Sequence, residues 1–135
     1  MTHGPPTSVA DVQPGEVYWV DIPKGHTVAS EQYDRRPYVI VSRVEVNRRG
    51  TLVGVPFTSV KDPSRMSQLP PYWISIPQKE LIVDWGANVG ESDSLAKSDQ
   101  VRVLARERLG TRIGTVSRTA LEAIKLGLAN VLDIQ

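Results

Sequence analysis

Along most of the chain, apolar residues come in short clusters separated by turn-forming residues; a helical spacing emerges only near the end. Pro14-Gly15 marks a turn. The segment after it, residues 16–22 (EVYWVDI), is rich in β-branched and aromatic side chains and is predicted as a strand. Pro23-Lys24-Gly25 breaks it, and a polar loop runs to Arg36. Residues 37–42 (PYVIVS) form a second predicted strand, with proline at the first position, where a missing N–H is tolerated. After the polar turn 47–50 (NRRG), residues 51–57 (TLVGVPF) form a third. The apolar runs of the second and third strands are nearly continuous, which predicts burial on both faces, as in a small closed barrel. A loop from 58 to 71 carries Pro63, Pro70 and Pro71, and residues 73–76 and 81–84 read as two short strands. Residues 86–94 are turn-rich, and 95–104 read as one further strand. Ser117 is a good N-cap for a closing helix, in which Leu121, Ile124, Leu128 and Val131 recur at spacings of 3, 4 and 3. Ala120 leaves the capping box incomplete. Gly127 weakens this helix by about 1 kcal/mol relative to Ala.

Strands first and a packing helix last define a mainly β chain, a small barrel with a C-terminal helix, and the absence of βαβ alternation excludes a doubly wound sheet. A length of 135 residues suits one domain, set at 14–135, behind a polar, Pro-rich tail at 1–13. The composition, 40% hydrophobic and 23% charged, supports an ordinary core. Without cysteine there is no disulfide framework, thiolate nucleophile or Cys-ligated metal. No run is long and apolar enough for a membrane span, and the first residues lack the basic start and apolar stretch of a signal peptide. A soluble protein of the cytoplasm, with no membrane association, is expected.

The net charge of +1 names no partner, but its distribution is uneven. Residues 35–65 hold seven basic side chains against two acidic, and residues 79–99 hold two basic against five acidic. A neutral chain with such a basic segment can present an anion-binding face. The two histidines, His3 and His26, offer no acid–base pair or metal site without the tail, and no phosphate-cradling glycine motif occurs. One constellation remains: the loop exit SEQYDRRP (30–37) and the strand end PFTS (56–59). An arginine held beside Pro37 can grip a phosphate with two hydrogen bonds, and a threonine hydroxyl can donate to a second oxygen. A carboxylate such as Glu31 can take a proton from a ribose 2′-OH. The same residue types also occur in solvated loop ends and ordinary turns, so they leave both readings open.

Four segments in register resemble the MazF/PemK family of toxin endoribonucleases. They are PGEVYWVDI (14–22), SEQYDRRPYVIVS (30–42), VPFTS (55–59) and LAKSDQVRVLARERLGTRIGTVSRTALEAIKLGLANVL (95–132). The resemblance implies a compact SH3-like β-barrel forming a homodimer, with metal-independent cleavage of single-stranded RNA and no cofactor. It also implies a cognate MazE-like antitoxin whose acidic and hydrophobic C-terminal segment covers the RNA groove. Carried over by position, Arg36 and Thr58 fall on the family's catalytic arginine and threonine, and Glu31 on its loop glutamate. Gln100 falls on a glutamine near the substrate, flanked by Asp99 and Arg102; Ser59 and Lys97 complete the candidate RNA-binding set. PemK-type members carry histidine at the position of Ser30 and arginine at that of Lys97, so the MazF-style assignment fits better. Trp85 is a candidate for base stacking, and Arg48 and Arg49 for contact with the RNA backbone. The segment 86–94 looks longer than is usual in the family.

Two other functions compete. The CcdB group of gyrase poisons shares this fold but acts through C-terminal aromatic and glycine residues, which the ending VLDIQ lacks. A catalytically inactive nucleic-acid-binding barrel would keep the basic segment and need none of Glu31, Arg36 or Thr58.

Overall fold

Side-chain alternation along Glu16–Ile22 (β1) sends Tyr18, Val20 and Ile22 to one side of a sheet and Val17 and Trp19 to the other. The same split recurs in Asp34–Ile40 (β2) and Thr51–Ser59 (β3): Tyr38, Ile40 and Leu52 join the first side, and Val39, Val55 and Phe57 the second. Both sides are buried, which is why these strands read as unbroken apolar runs. The computed structural model describes residues 12–22, 34–59, 68–77, 80–83 and 94–134. Within them the remaining strands are Trp73–Ile76 (β4), Leu81–Val83 (β5), Ser94–Lys97 (β6), Arg102–Ala105 (β7) and Leu109–Val116 (β8). A single helical turn, Val44–Asn47 (α1), follows β2, and Arg118–Leu132 (α2) ends the chain.

Every pairing is antiparallel, in the order β4-β6-β3-β2-β1-β8-β5, with β7 on β3. This is the expected mainly β, SH3-like architecture with a C-terminal helix. Among the described residues the ladder does not close, because its end strands β4 and β5 are not paired with each other. The first side holds a core of Val12, Tyr18, Val20, Ile22, Tyr38, Ile40, Leu52, Leu104 and Leu109. The second is covered by α2, which inserts Ala120 and Ile124 and lays Leu121 and Leu128 against the same cluster. Burying one such side chain fully contributes about 1.5–3 kcal/mol, so these two layers carry most of the favourable term.

The helix begins as its sequence signals: the Ser117 hydroxyl accepts from the Ala120 N–H at 3.0 Å, and it also donates to the Glu80 carboxylate. Gly127 has a packing reason. A Cβ there would stand 2.8 Å from Ser98 Oγ and 3.3 Å from Ile74, so only glycine lets α2 lie this close to β4. The predicted single strand over 95–104 is corrected: β6 and β7 are separated by a 3₁₀ turn, Ser98–Gln100, whose polar triplet interrupts the apolar run. Ser98 N–H donates to Tyr72 O at 3.1 Å and Val101 N–H to Ser98 O at 3.2 Å, and β7 then pairs with β3.

Val12 and Gln13 are tied into the domain. Val12 is fully buried, its carbonyl accepts from Asn47 Nδ2 at 3.0 Å, and Gln13 N–H donates to Glu16 at 2.7 Å. Gly15 turns at φ +95°, bonding Ile40 O at 2.7 Å and, through its own carbonyl, the Val116 N–H at 2.9 Å. That turn locks β1 between β2 and β8.

Candidate active site

β2 and β3 pair only over Tyr38↔Pro56, Val39↔Val55 and Ile40↔Gly54. Beyond that point they part. β2 continues along β1 through Pro37, Arg36 and Arg35, opposite Trp19, Val20 and Asp21. β3 continues along β6 through Phe57, Thr58 and Ser59, opposite Ala96, Leu95 and Ser94. The sheet therefore forks, and Pro37 stands on the β2 arm, where an N–H would otherwise lose its ladder partner in β3. Between the arms lies a cleft of about 280 Å³, lined by Trp19, Arg35, Arg36, Pro37, Phe57, Thr58, Ser59 and Ser94. Arg36, Thr58 and Ser59, chosen from the sequence, thus line one cavity. Carried two residues past Tyr38↔Pro56, the same register sets Arg36 across from Thr58.

Register also orders the cations around the fork. Arg102 pairs with Gly54 across β3, so it shares a face with Tyr38, Thr58 and Arg36, as does Lys97, two residues on from the Leu95 that pairs with Thr58. The Lys97 ammonium lies 4.6 Å from the centroid of the Trp73 ring, whose indole N–H donates to Asp99 at 2.7 Å. Burial and then the nearby Arg36 charge push the Lys97 pKa below its ordinary value, with Asp99 opposing. On the other side of the fork, the Arg35 guanidinium lies over Trp19 with 4.6 Å to the ring centroid. Both pairs hold a positive charge against an aromatic face at the rim of an electropositive cleft.

The other sequence-chosen residues are placed less uniformly. Asp99, Gln100, Arg102 and Lys97 are not among the cleft's lining; they occupy the neighbouring 3₁₀ turn and the strands beside it. Asp99, expected as part of a polar wall, holds the Trp73 indole. Arg48 and Arg49 are exposed in the turn after α1. Glu31, Ser30, Trp85 and the segment 86–93 lie outside the described residues. Trp19 and Arg35 line the cleft and were not chosen from the sequence for it; Tyr38 lies outside the lining, on the same strand face as Arg36, as their spacing already implies. Glu16, by contrast, is a buried structural carboxylate: it accepts from Arg112 at 2.6 Å, Gln13 N–H at 2.7 Å and the Tyr18 hydroxyl at 3.2 Å. Among the described residues no helix is long and apolar enough to cross a membrane.

A forked, helix-backed antiparallel sheet with a cationic cleft at the fork defines a small β-protein of the SH3-like type. A family model described as the PemK-like, MazF-like toxin of type II toxin-antitoxin systems matches residues 13–132, and the chain belongs to that family. Solved structures agree in fold. MazF from Deinococcus radiodurans superposes with a TM-score of 0.68 at 21% identity, covering 91% of this chain and 97% of that one. An endoribonuclease from a mycobacterial species, solved in complex with its cognate antitoxin, gives 0.67 at 21% identity, covering 92% and 97%. The Mycobacterium tuberculosis toxin MazF-mt6 gives 0.62 at 15% identity, covering 89% and 98%. No curated protein matches the sequence.

Proposed function

We propose that this chain is an endoribonuclease that cuts single-stranded RNA, mRNA above all, at a short sequence in the cytoplasm, arresting translation and growth until an antitoxin binds it. The observation that carries this reading is the fork: it brings a proline-anchored arginine and a threonine hydroxyl from two different strands to one cleft. In this reading the Arg36 guanidinium and the Thr58 hydroxyl hold the non-bridging oxygens of the scissile phosphate, with Ser59 as a neighbouring donor. Glu31 takes the proton of the ribose 2′-OH. The 2′-oxygen bonds to phosphorus, the bond to the 5′-oxygen breaks, and that oxygen takes a proton from solvent water to leave as a 5′-hydroxyl, with a 2′,3′-cyclic phosphate behind it. Charge on the phosphorane is met by fixed guanidinium and hydroxyl donors, so the step calls for no metal and no cofactor. Lys97, Arg102, Gln100 and Asp99 border the path of flanking nucleotides. The partner is a MazE-like antitoxin with an acidic segment, suited by charge to this cleft, and the active form is a homodimer. The antitoxin has its precedent in a mycobacterial endoribonuclease solved with its cognate antitoxin and in Deinococcus radiodurans MazE-MazF, and the homodimer follows from the family resemblance alone.

The test is incubation of the purified protein with a long RNA in chelator, with fragment ends mapped. Cyclic phosphate and 5′-hydroxyl ends at a recurrent short sequence support the reading. Cleavage only on addition of metal, or binding without cleavage, overturns it.

A further inference from the structure

Tyr38 is fully buried, yet among the described residues its hydroxyl has no hydrogen-bond partner. A buried, unsatisfied phenol costs free energy, and a phenylalanine of the same shape would spare that cost. Its position is supported from beneath: Gly54 on β3 leaves the space its ring fills, since a Cβ there would stand 3.2 Å from Tyr38 Cδ2 and 2.8 Å from Leu104 Cδ1. Because Gly54 has no side chain, Tyr38 from β2 and Arg102 from β7 meet across the central strand, Arg102 pairing with that same glycine. Arg102 is likewise incomplete: its buried Nε has no hydrogen-bond partner. Its guanidinium stands close enough to lower the phenol's pKa, by its charge and as a donor toward the oxygen, but without the geometry of a formed hydrogen bond. Burial outweighs that, and the phenol is held above its ordinary range, so it stays a neutral group beside a fixed cation.

Arg102 offers only donors and cannot serve the phenol's proton, while the phenol oxygen can accept from Arg102. We infer that Tyr38 is a positioning residue for Arg102: its oxygen aims the guanidinium at a phosphate of the RNA backbone next to the scissile one. The inference rests on the reading of the protein as an RNA-binding nuclease. Arg102 is absent from the lining of the cleft that holds Arg36 and Thr58, so the phosphate it takes is one that does not react. Its loss therefore weakens ground state and transition state alike and falls on KM, not kcat.

Tyr38→Phe keeps the ring over Gly54 and removes only the hydroxyl. With a short single-stranded RNA substrate it should raise KM about tenfold at unchanged kcat, the worth of the one hydrogen bond to a charged group that closes between phenol and guanidinium when RNA is bound. Its melting temperature should be equal to or above wild type, which a hydroxyl retained for folding would not allow. Arg102→Met should raise KM at least as much, and adding Tyr38→Phe to it should change nothing further, because the tyrosine acts through the arginine. The same ratios should appear in the Kd of an uncleavable 2′-O-methyl RNA. Unchanged KM and Kd in Tyr38→Phe, or full additivity in the double variant, overturns the inference while leaving the nuclease reading intact. Should the wild type bind RNA without cutting it, the nuclease reading falls and the Kd ratios alone decide the role of Tyr38. If it does neither, both fall.

Discussion

Substituting Arg36 separates the chemistry of the cleft from the stability of the sheet. The guanidinium offers a phosphate two parallel N–H groups and a permanent charge, and Pro37 fixes the backbone beside it. Removing one preorganised donor from an oxyanion site costs on the order of 10²–10³ in kcat. Arg36→Lys keeps the charge and loses the fork, and should slow cleavage about 10²-fold; Arg36→Ala loses both and should slow it more than about 10³-fold. The structure sets the opposite expectation for folding. The Arg36 charge helps to depress Lys97, so these two cations repel one another beside the fork. Arg36→Ala relieves part of that repulsion, and its melting midpoint should stay within about 2 °C of wild type or rise; Arg36→Lys, which keeps the charge, should stay within the same margin. The assay is single-turnover cleavage of a defined RNA in chelator, beside thermal melts of the same preparations. Arg36→Lys cutting within about threefold of wild type would refute the bidentate role. A collapsed melt in Arg36→Ala would show the arginine to be structural.

Three further outcomes follow from particular contacts. Lys97 loses its proton more readily folded than unfolded, so below its ordinary value of 10.5 the unfolded chain binds more protons and stability should rise with pH toward that value. Tyr38 acts in the opposite sense, its contribution full below 10.0 and lost as pH climbs beyond. Denaturant midpoints measured from about pH 8 upward should show the Lys97 rise flattened in Lys97→Met, and RNA affinity should fall as Lys97 deprotonates. Gly127→Ala gains helix propensity but drives a Cβ to 2.8 Å from Ser98 Oγ and 3.3 Å from Ile74, so it should destabilise by about 1–3 kcal/mol, with Ser98→Ala restoring part of the loss. Glu16→Gln weakens the buried bonds that the carboxylate accepts from Arg112, Gln13 N–H and Tyr18, and should lower stability by about 1–3 kcal/mol in denaturant melts without changing cleavage.

Much of the fold was legible because its signals are local. The bounds of β1 and β4 and the Ser117 cap follow from residues near each position, whereas the second strand, expected to start at Pro37, starts at Asp34, because β1 pairs with Asp34, Arg35 and Arg36 before the proline. What stayed hidden depends on partners far along the chain. Residues 95–104 read as one strand because apolar residues bracket the polar triplet 98–100; that the chain turns there, under α2, goes with a contact between Ser98 and Gly127, twenty-nine positions later. β8 was legible only through the family likeness, since LGTRIGTV is too rich in glycine and threonine to stand out as an apolar run. The site divides in the same way. Arg36 and Thr58 were readable from local chemistry and the family's spacing, whereas the company of Tyr38 and Arg102 depends on a glycine in a third strand.

The position of the cleft follows from the length of β3. Its nine residues exceed what either neighbour on the same edge can pair, so β7 takes Thr51–Gly54 and β6 takes Phe57–Ser59. On its other edge β2 pairs only as far as Pro56 before its own partnership with β1 carries it away. A strand pair that separates normally exposes a row of unsatisfied N–H and C=O groups, an invitation to edge pairing. Here Pro37 removes a donor from the β2 arm, and arginine, threonine and serine side chains line the space between the arms. The fork is thus protected from another strand and left open to a ligand rich in acceptors. A backbone of phosphates has that chemistry, and so does an acidic peptide, so substrate and inhibitor should compete for the same cations. Rising salt should therefore weaken both, the RNA in proportion to the number of phosphates neutralised.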